Sequence, residues 1–447
     1  MMLPANFIDN RVCIIGLGYV GLTLAVAMVD AGFVVNGVEK DRRILDALSE
    51  GRAHFSEAGL DARIASHLKT GRFKFSQQIP ADASSTVYIV TVGTPVGPDK
   101  RTRTDSLRSV IDSIAQVLKE GDLVILRSTV RVGTTRQIVT PVLDGCGVRY
   151  DIAFCPERTL EGNALSELRS LPQVVGGRTS IATFRASQLF SFLTPSLVRV
   201  SSLETAEMVK LINNTQRDYI FAFANEVAAM CDVLGISASE VISSGNLGYP
   251  RANLPLPGPV GGPCLEKDPY ILAEGLDRFS FTPALALGAR RWNEALPSWT
   301  VGLVAREYRR MTKAEPKKIA ILGLAFKGRP ETDDLRGTLA APIIEMIRGE
   351  FPGTEIVGWD PVVAADAVQT LGVVPMPSLE MAFAGASMAF IQNNHPIFGR
   401  VDMAALATAM EPPAIIYDYW NQNQNGLILP EGVSYRALGS FNFRSDT

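Results

Sequence analysis

Short β-branched runs alternate with helix-period stretches through the first third of the chain. Val12–Ile15, Val34–Val38, Val87–Thr91, Leu123–Leu126 and Ile152–Phe154 are apolar runs of strand length. Continuous apolar strands separated by helices predict a parallel sheet covered on both faces. Near position 203 the period changes. Val209, Leu211, Ile212, Ile220, Phe223, Val227, Met230 and Leu234 recur at helical spacing and predict one helix over Leu203–Leu234. Ser201 with Glu204 fits a capping box at its start, and Gly235 fits its stop. At 1.5 Å per residue such a helix is about 48 Å long, a length suited to joining domains or forming an oligomer interface. Residues 236–270 then turn rich in glycine and proline, as functional loops and linkers do. A strand–turn–helix pattern resumes over Lys317–Ile347, and a strand over Glu355–Trp359 ends in Asp360-Pro361.

Composition narrows the class. A chain of 447 residues predicts about three domains. Lys+Arg at 43 against Asp+Glu at 46 leaves a net charge of −3, which argues against nucleic acid as a partner. With 47% hydrophobic and 20% charged residues the chain is globular rather than disordered. Five cysteines, an odd number, predict reduced thiols rather than a disulfide scaffold, and three histidines leave little material for a metal site. The first charge is Asp9, so no basic region of a secretory signal opens the chain. Val12–Val29 is uncharged over 18 residues, the length of a membrane helix. Its three glycines divide it into a strand (Val12–Ile15), a turn (Gly16–Gly21) and a helix (Leu22–Asp30), so a soluble, cytoplasmic protein is expected.

That turn is the first candidate for chemistry. Gly16-Leu17-Gly18-Tyr19-Val20-Gly21 is GxGxxG between strand and helix. The glycines permit a tight turn, close approach of a pyrophosphate and close helix–strand packing, with the helix N-terminus facing the phosphates. Glu39 follows the second strand, 18 residues after Gly21. A carboxylate there accepts hydrogen bonds from ribose hydroxyls and repels a 2′-phosphate, favouring NAD over NADP; the alternative is a glycine turn with a surface glutamate.

The second candidate is a thiol. Cys13, Cys146, Cys155 and Cys231 read as small packing residues. Cys264 lies in Gly261-Gly262-Pro263-Cys264-Leu265-Glu266-Lys267-Asp268-Pro269. The glycines allow another group to approach the thiol. A helix opening near Pro263 would lower its pKa, with Lys267 adding positive charge. Asp268 could position water or a reacting oxygen. An ordinary turn before a helix fits this segment equally well.

In order along the chain, these and further motifs resemble the UDP-glucose/GDP-mannose dehydrogenase family, the NAD-dependent nucleotide-sugar 6-dehydrogenases. GLGYVGL with Glu39 is similar to the family's cofactor turn. Gly93-Thr94-Pro95, and Arg127-Ser128-Thr129-Val130 followed by Gly133-Thr134-Thr135, look like its cofactor-side loops. Cys155-Pro156-Glu157-Arg158-Thr159-Leu160-Glu161-Gly162 resembles its substrate segment, Lys210 and Asn214 its helix-borne pair, and GGPCLEKDP its nucleophile loop. Gly323-Leu324-Ala325-Phe326-Lys327 with Asp334 and Arg336 resembles the opening of its nucleotide domain.

The resemblance implies two Rossmann-like doubly wound α/β domains joined by a central helical domain with one long helix. The expected spans are 1–198 for NAD, 199–300 for the helical, dimerising part with the thiol loop, and 315–447 for the UDP-sugar. It implies two hydride transfers that take a C6 alcohol to a carboxylate at the cost of two NAD⁺. Cys264 forms a thiohemiacetal and then a thioester, because hydride cannot leave an unhydrated aldehyde. Lys210 and Asn214, four apart on a helix, stabilise an oxyanion. Glu161, with Glu157 as second choice, is the base for thioester hydrolysis, assisted by Thr129 and Asp268. Gly16, Gly18, Tyr19, Val20, Gly21, Glu39, Thr94, Thr129 and Lys267 are the cofactor residues. Glu157, Arg158, Leu160, Lys210, Asn214, Arg251, Gly261, Phe326, Lys327 and Arg336 are the substrate residues, with Arg251 reaching the substrate of a neighbouring subunit in a homodimer. Lys327 and Arg336 anchor phosphates or bridge to the cofactor domain. No metal is expected.

Pro263-Cys264-Leu265 and Arg158 resemble enzymes acting on UDP-N-acetylhexosamines, especially UDP-N-acetylmannosamine, in a pathway of polysaccharide biosynthesis. Glu161-Gly162 resembles the UDP-glucose pattern instead, so UDP-glucose and UDP-N-acetylglucosamine stay as alternatives. A two-electron β-hydroxyacid dehydrogenase, which needs no thiol, and a non-catalytic NAD-binding protein are the rival classes.

Overall fold

Strands buried on both faces need apolar side chains at every position, and the central strands here meet that demand. In a computed structural model, which describes residues 3–4, 6–80, 84–423 and 427–440, β4 (Val87–Val90) and β5 (Leu123–Leu126) are buried at all four positions. The chain forms two units, one of residues 1–214 with 267–282 and one of residues 215–266 with 283–447.

The first unit contains β1 (Arg11–Ile15), β2 (Val34–Val38), β3 (Phe73–Ser76), β4, β5, β6 (Asp151–Phe154), β7 (Gln173–Gly177) and β8 (Leu197–Val200). They pair in the order β3-β2-β1-β4-β5-β6-β7-β8, parallel except between β6 and β7. The five strands expected from the sequence are all present. Three others escaped the apolar-run criterion for physical reasons. β3 alternates Phe with Lys and Ser, β7 ends in two glycines, and β8 is only partly buried.

The second unit holds β9 (Lys318–Leu322), β10 (Glu355–Trp359), β11 (Val374–Pro375), β12 (Met388–Ile391), β13 (Ala414–Asp418) and β14 (Val433–Ala437). Their order is β11-β10-β9-β12-β13-β14, all parallel. Counted from its own first strand, each sheet begins in the doubly wound order 3-2-1-4-5-6. Ligands of such sheets bind beyond the carboxyl ends of the strands where the order reverses. A shared device shapes both places. At the end of β2, Glu39 Oε2 accepts from the Leu17 amide at 2.9 Å. At the end of β10, Asp360 Oδ2 accepts from the Leu324 and Ala325 amides at 2.6 and 3.1 Å.

Several local expectations need correction. The first helix spans Tyr19–Ala31 and so begins inside the glycine motif, not at Leu22. After β9 (Lys318–Leu322) the connection is long, and the next helix starts only at Ala340 (Ala340–Glu350). The long helix does span Leu203–Leu234 and closes at Gly235 with φ 68°. Its cap is Ser202, whose Oγ accepts from the Thr205 amide at 3.1 Å, while Glu204 pairs with Arg136. A one-residue shift of the cap accounts for the miss with Ser201.

Burial along this helix is mixed: Leu211 is buried and Val209, Ile220 and Val227 are half-buried. Ile212, Phe223, Met230 and Leu234 are 43%, 47%, 48% and 66% exposed. Glu207 and Lys210 in the first unit, and Asp218, Asn225 and Asp232 in the second, are buried instead. A second long helix, Ala284–Met311, buries Arg290 and Asn293. Among the described residues no helix is long and apolar enough to cross a membrane.

Candidate active site

A cavity of about 860 Å³ in the first unit is lined by Gly16, Gly18, Val38, Glu39, Thr91 and Gly93, among others. These residues follow the carboxyl ends of β1, β2 and β4. Gly16 has φ 93°, and a Cβ on Gly21 would sit 1.8 Å from the Gly16 carbonyl oxygen, so neither position tolerates a side chain. A Cβ on Gly18 would meet nothing within 4 Å, which leaves the space a pyrophosphate needs. The Tyr19–Ala31 helix has no side-chain cap and no acidic residue in its first turn, so its positive end is not neutralised. Glu39 Oε1 accepts from the Asp41 amide at 3.0 Å. With one amide on each oxygen, the carboxylate keeps acceptor capacity for ribose hydroxyls. These features fit a dinucleotide. Buried Thr94 donates to the Thr129 carbonyl and joins the loops after β4 and β5.

The Cys155–Gly162 segment leaves the sheet after β6. Arg127, at the end of β5, is buried and acts as its clamp. Its guanidinium donates to Glu157 Oε2 at 2.5 and 3.0 Å, to the Cys155 carbonyl at 3.1 Å and to Gln173 Oε1 at 2.8 Å. Glu157 Oε1 accepts from the Arg158 and Thr159 amides at 2.7 and 2.6 Å. Burial pushes the Glu157 carboxyl up, but Arg127, the Thr159 amide and Lys210 together hold it below its ordinary value. A carboxylate so engaged is an anchor and a weak base. Arg158 donates to the Pro172 carbonyl, and the Leu160 amide donates to Glu167. Glu161 is half-buried. The amide of its neighbour Gly162 donates to the Tyr19 hydroxyl at 2.8 Å and to Glu57 Oε2 at 2.9 Å, and Tyr19 itself donates to Glu57 at 2.6 Å.

Three further residues gather in this unit. Lys210 is buried, and Asn214 Nδ2 donates to Asp268 Oδ2 at 2.6 Å. Asp268 is fully buried and opens the Asp268–Leu276 helix. Burial raises its carboxyl pKa, against the opposing influence of Lys210, Lys267 and the Asn214 hydrogen bond.

The second unit carries the thiol. Cys13, Cys155 and Cys231 are buried and Cys146 is half-buried, whereas Cys264 is exposed. It sits in the one-turn helix Gly262–Leu265, with Pro263 in that turn. A helix does open there, as a single turn. Gly262 has φ 83°, and its amide donates to the Gly337 carbonyl at 2.8 Å. A Cβ on Gly262 would strike the Phe326 ring, and one on Gly261 the Gly337 carbonyl oxygen. The thiol turn and the loop after β9 are thus packed together within this unit. Lys327 Nζ lies 5.4 Å from the Phe326 ring centre. Arg336 is exposed, with Nη2 2.6 Å from Asp334 Oδ2. Arg251 is also exposed and donates to the Tyr249 hydroxyl at 3.1 Å.

The first unit therefore brings Lys210, Asn214 and Asp268 together, and the second packs the turn that carries Gly261 and Cys264, through Gly262, against Phe326. Sequence reasoning missed Glu57, Gln173 and the clamping use of Arg127. Their partners are distant in the chain, and a buried arginine leaves no trace in periodicity.

Glu157→Gln should act mainly on stability. Removing one partner of a buried ion pair costs about 3–5 kcal/mol. Chemical unfolding of the first unit, followed by hydrogen exchange of the 155–162 amides, checks this; unchanged protection would refute the anchor.

Three family models match the chain in order. They are the UDP-glucose/GDP-mannose dehydrogenase family's NAD binding domain over residues 10–194, its central domain over 204–295 and its UDP binding domain over 320–425. The chain is similar to a UDP-N-acetyl-D-mannosamine dehydrogenase of Pyrococcus horikoshii, at 32% identity over 91% of this chain and 94% of the relative. It is also 32% identical to an NDP-N-acetyl-D-galactosaminuronic acid dehydrogenase of Ralstonia nicotianae, over 88% of this chain and 93% of the relative. A solved structure of the UDP-D-ManNAc dehydrogenase from Pyrococcus horikoshii matches with a TM-score of 0.86 at 31% identity, covering 97% of this chain and all of that one. The glycine turn with Glu39, the doubly wound sheets and these matches agree: the chain belongs to the UDP-glucose/GDP-mannose dehydrogenase family and is an NAD-dependent nucleotide-sugar dehydrogenase.

Proposed function

We propose that this chain oxidises the C6 alcohol of UDP-N-acetylmannosamine, or a closely related UDP-acetamido sugar, to the uronate through a thioester on Cys264. The observation that carries the reading is that Cys264 is the exposed one of five thiols, presented on a glycine turn packed against Phe326 and Gly337. The names of the relatives favour an acetamido sugar, with UDP-glucose as the alternative.

NAD⁺ supplies a hydride acceptor twice. In the first oxidation the alcohol loses a proton and a hydride and becomes the aldehyde. The Cys264 thiolate adds to the aldehyde carbon, and the oxygen takes a proton to give a thiohemiacetal. That carbon loses the second hydride as its hydroxyl loses the proton, leaving a thioester. Water then adds, the C–S bond breaks, and the products are the carboxylate and the free thiol. Lys210 and Asn214 stabilise the negative charge that develops on oxygen. Asp268 holds Asn214 and sets the charge beside Lys210. Glu161 takes the proton from the attacking water with help from Thr129, while Glu157 holds the segment. Residues 1–198 serve the cofactor, 199–300 the thiol and helical part, and 315–447 the UDP-sugar, with Phe326, Lys327 and Arg336 on the nucleotide. The uronate suits polysaccharide biosynthesis, and the reactive thiol suits the reducing cytoplasm.

The reading includes a homodimer. Tyr219 and Phe223 on the long helix, with Leu285 and Trp292 on the second, line an apolar cavity of about 500 Å³. A second copy would cover it and bring Arg251 to the neighbouring substrate.

An NADH-production screen over UDP-glucose, UDP-N-acetylglucosamine and UDP-N-acetylmannosamine should give two NADH per sugar, fastest with the last. Cys264→Ser should yield at most one; full yield from that variant would sink the thioester route. The raised pKa of Asp268 fixes the sign of a pH effect. Activity that needs its carboxylate is lost as pH falls through a value above the ordinary 3.8, so Asp268→Asn should flatten the acidic limb of the kcat/KM profile. Light scattering should report a dimer at micromolar concentration, and a monomer there would remove the dimer from the reading.

A further inference from the structure

Backbone groups of an irregular buried loop must find partners outside the loop. In the second unit the thiol segment, residues 258–265, is mostly glycine and proline before its single helical turn. On one side it is held by the Gly262 amide on the Gly337 carbonyl. On the other it rests on side chains of the two long helices.

Arg290, from the Ala284–Met311 helix, has a side chain only 1% exposed. Its Nη1 donates to the Leu265 carbonyl at 3.1 Å and to Asp218 Oδ1 at 2.9 Å, and its Nη2 donates to the Val260 carbonyl at 3.5 Å. Asp218 Oδ1 also accepts from Asn293 Nδ2 at 2.8 Å. Asn225 grips Gly258 twice, donating to its carbonyl at 3.1 Å and accepting from its amide at 2.8 Å. Asn225 and Asn293 are themselves bonded at 3.0 Å.

We infer that Arg290, fixed by Asp218 and Asn293, is a positioning residue for the nucleophile, and that it sets where the Cys264 thiol stands by holding the carbonyls of Val260 and Leu265 on either side of it. Burying a guanidinium is expensive, and well-packed apolar residues often replace such a pair without loss of stability. An apolar side chain could fill the volume but could not hold two carbonyls in a fixed relation. The planar fork of arginine can do so, and the shorter reach of a lysine ammonium cannot.

The inference rests on the thioester route, and it makes one step special. Hydride leaves the alcohol without help from the thiol, but the aldehyde must be met by a correctly placed sulfur. A shift of about 1 Å in a reacting group can cost about 100-fold in rate. A loosened thiol turn should therefore spare the first oxidation and slow the second, so that aldehyde escapes.

Arg290→Lys keeps the positive charge opposite Asp218 and loses the fork. Asn225→Ser releases Gly258 and the bond to Asn293 while leaving the Arg290–Asp218 pair, and serves if the first variant does not fold. Each is compared with wild type and with Cys264→Ser in single-turnover NADH formation, with a hydrazine present to trap aldehyde. The expected result is a first hydride transfer within about 3-fold of wild type, a second slowed by more than about 10-fold, and trapped aldehyde with NADH per sugar falling from two towards one. Equal slowing of both transfers, wild-type behaviour in the folded variant, or failure of both variants to fold would overturn the inference. Two NADH per sugar from Cys264→Ser would overturn the thioester reading and the inference with it. Loss of the second NADH in Cys264→Ser, with wild-type rates in Arg290→Lys, would overturn the inference alone.

Discussion

A polar side chain buried on a helix must be given a partner, and along Leu203–Leu234 that requirement determines where the loops go. In the first unit Glu207 accepts from the Gly133 amide at 2.5 Å and from the Thr135 amide at 2.9 Å, and Asn214 donates to Asp268. In the second, Asp218 takes Arg290, Asn225 takes Gly258, and Asp232 accepts from the Gly439 amide at 3.2 Å. Left unpaired, each of these groups would cost about 1–3 kcal/mol or more. Each loop is therefore bound to the position of its helix residue. Beside apolar residues such as Leu203, Ala206, Leu211, Ala224 and Ala228, this helix buries a series of directional contacts.

The two sheets apply one solution with different endings. Glu39 and Asp360 occupy the same topological place, after the second strand of their sheets, and both accept amides of the turn that follows the first strand. Asp360 also takes the Val362 and Val363 amides on Oδ1, at 2.8 and 3.0 Å, so both its oxygens are spent on four backbone groups. Glu39 takes two amides and stays half-buried. Equivalent position has become a fully satisfied structural staple in one unit and a group with acceptor capacity left over in the other.

Local rules made part of this legible. Runs such as Leu123–Leu126 announced the central strands because burial on both faces demands apolar residues throughout. The glycine turn and the setting of Cys264 could be read because backbone conformation and space restrict those positions to glycine. The cap at Ser202 rather than Ser201, and the late helix at Ala340, depend on one-residue or long-loop geometry that no local pattern encodes. Arg290 was silent for a different reason. It lies among Gly288, Ala289, Arg291 and Trp292, and nothing nearby says that its partners are Asp218, Val260 and Leu265. Apolar spacing located the long helix correctly, but spacing alone does not show which of its side chains are enclosed. Phe223 and Met230 are half exposed, and Asp218 and Asn225 are enclosed.

The Arg127 clamp has a consequence for how such a site can change over time. Arg127 fastens Cys155, Glu157 and Gln173 where β6 and β7 meet and the sheet reverses direction. The base of the 155–162 segment is thereby fixed to the sheet, while the side chains of Arg158 to Glu161 lie outside the clamp. Anchor and reach are physically separate. Side chains of the outer residues can change without disturbing the buried pair beneath, so the surface they present can drift on an unchanging scaffold.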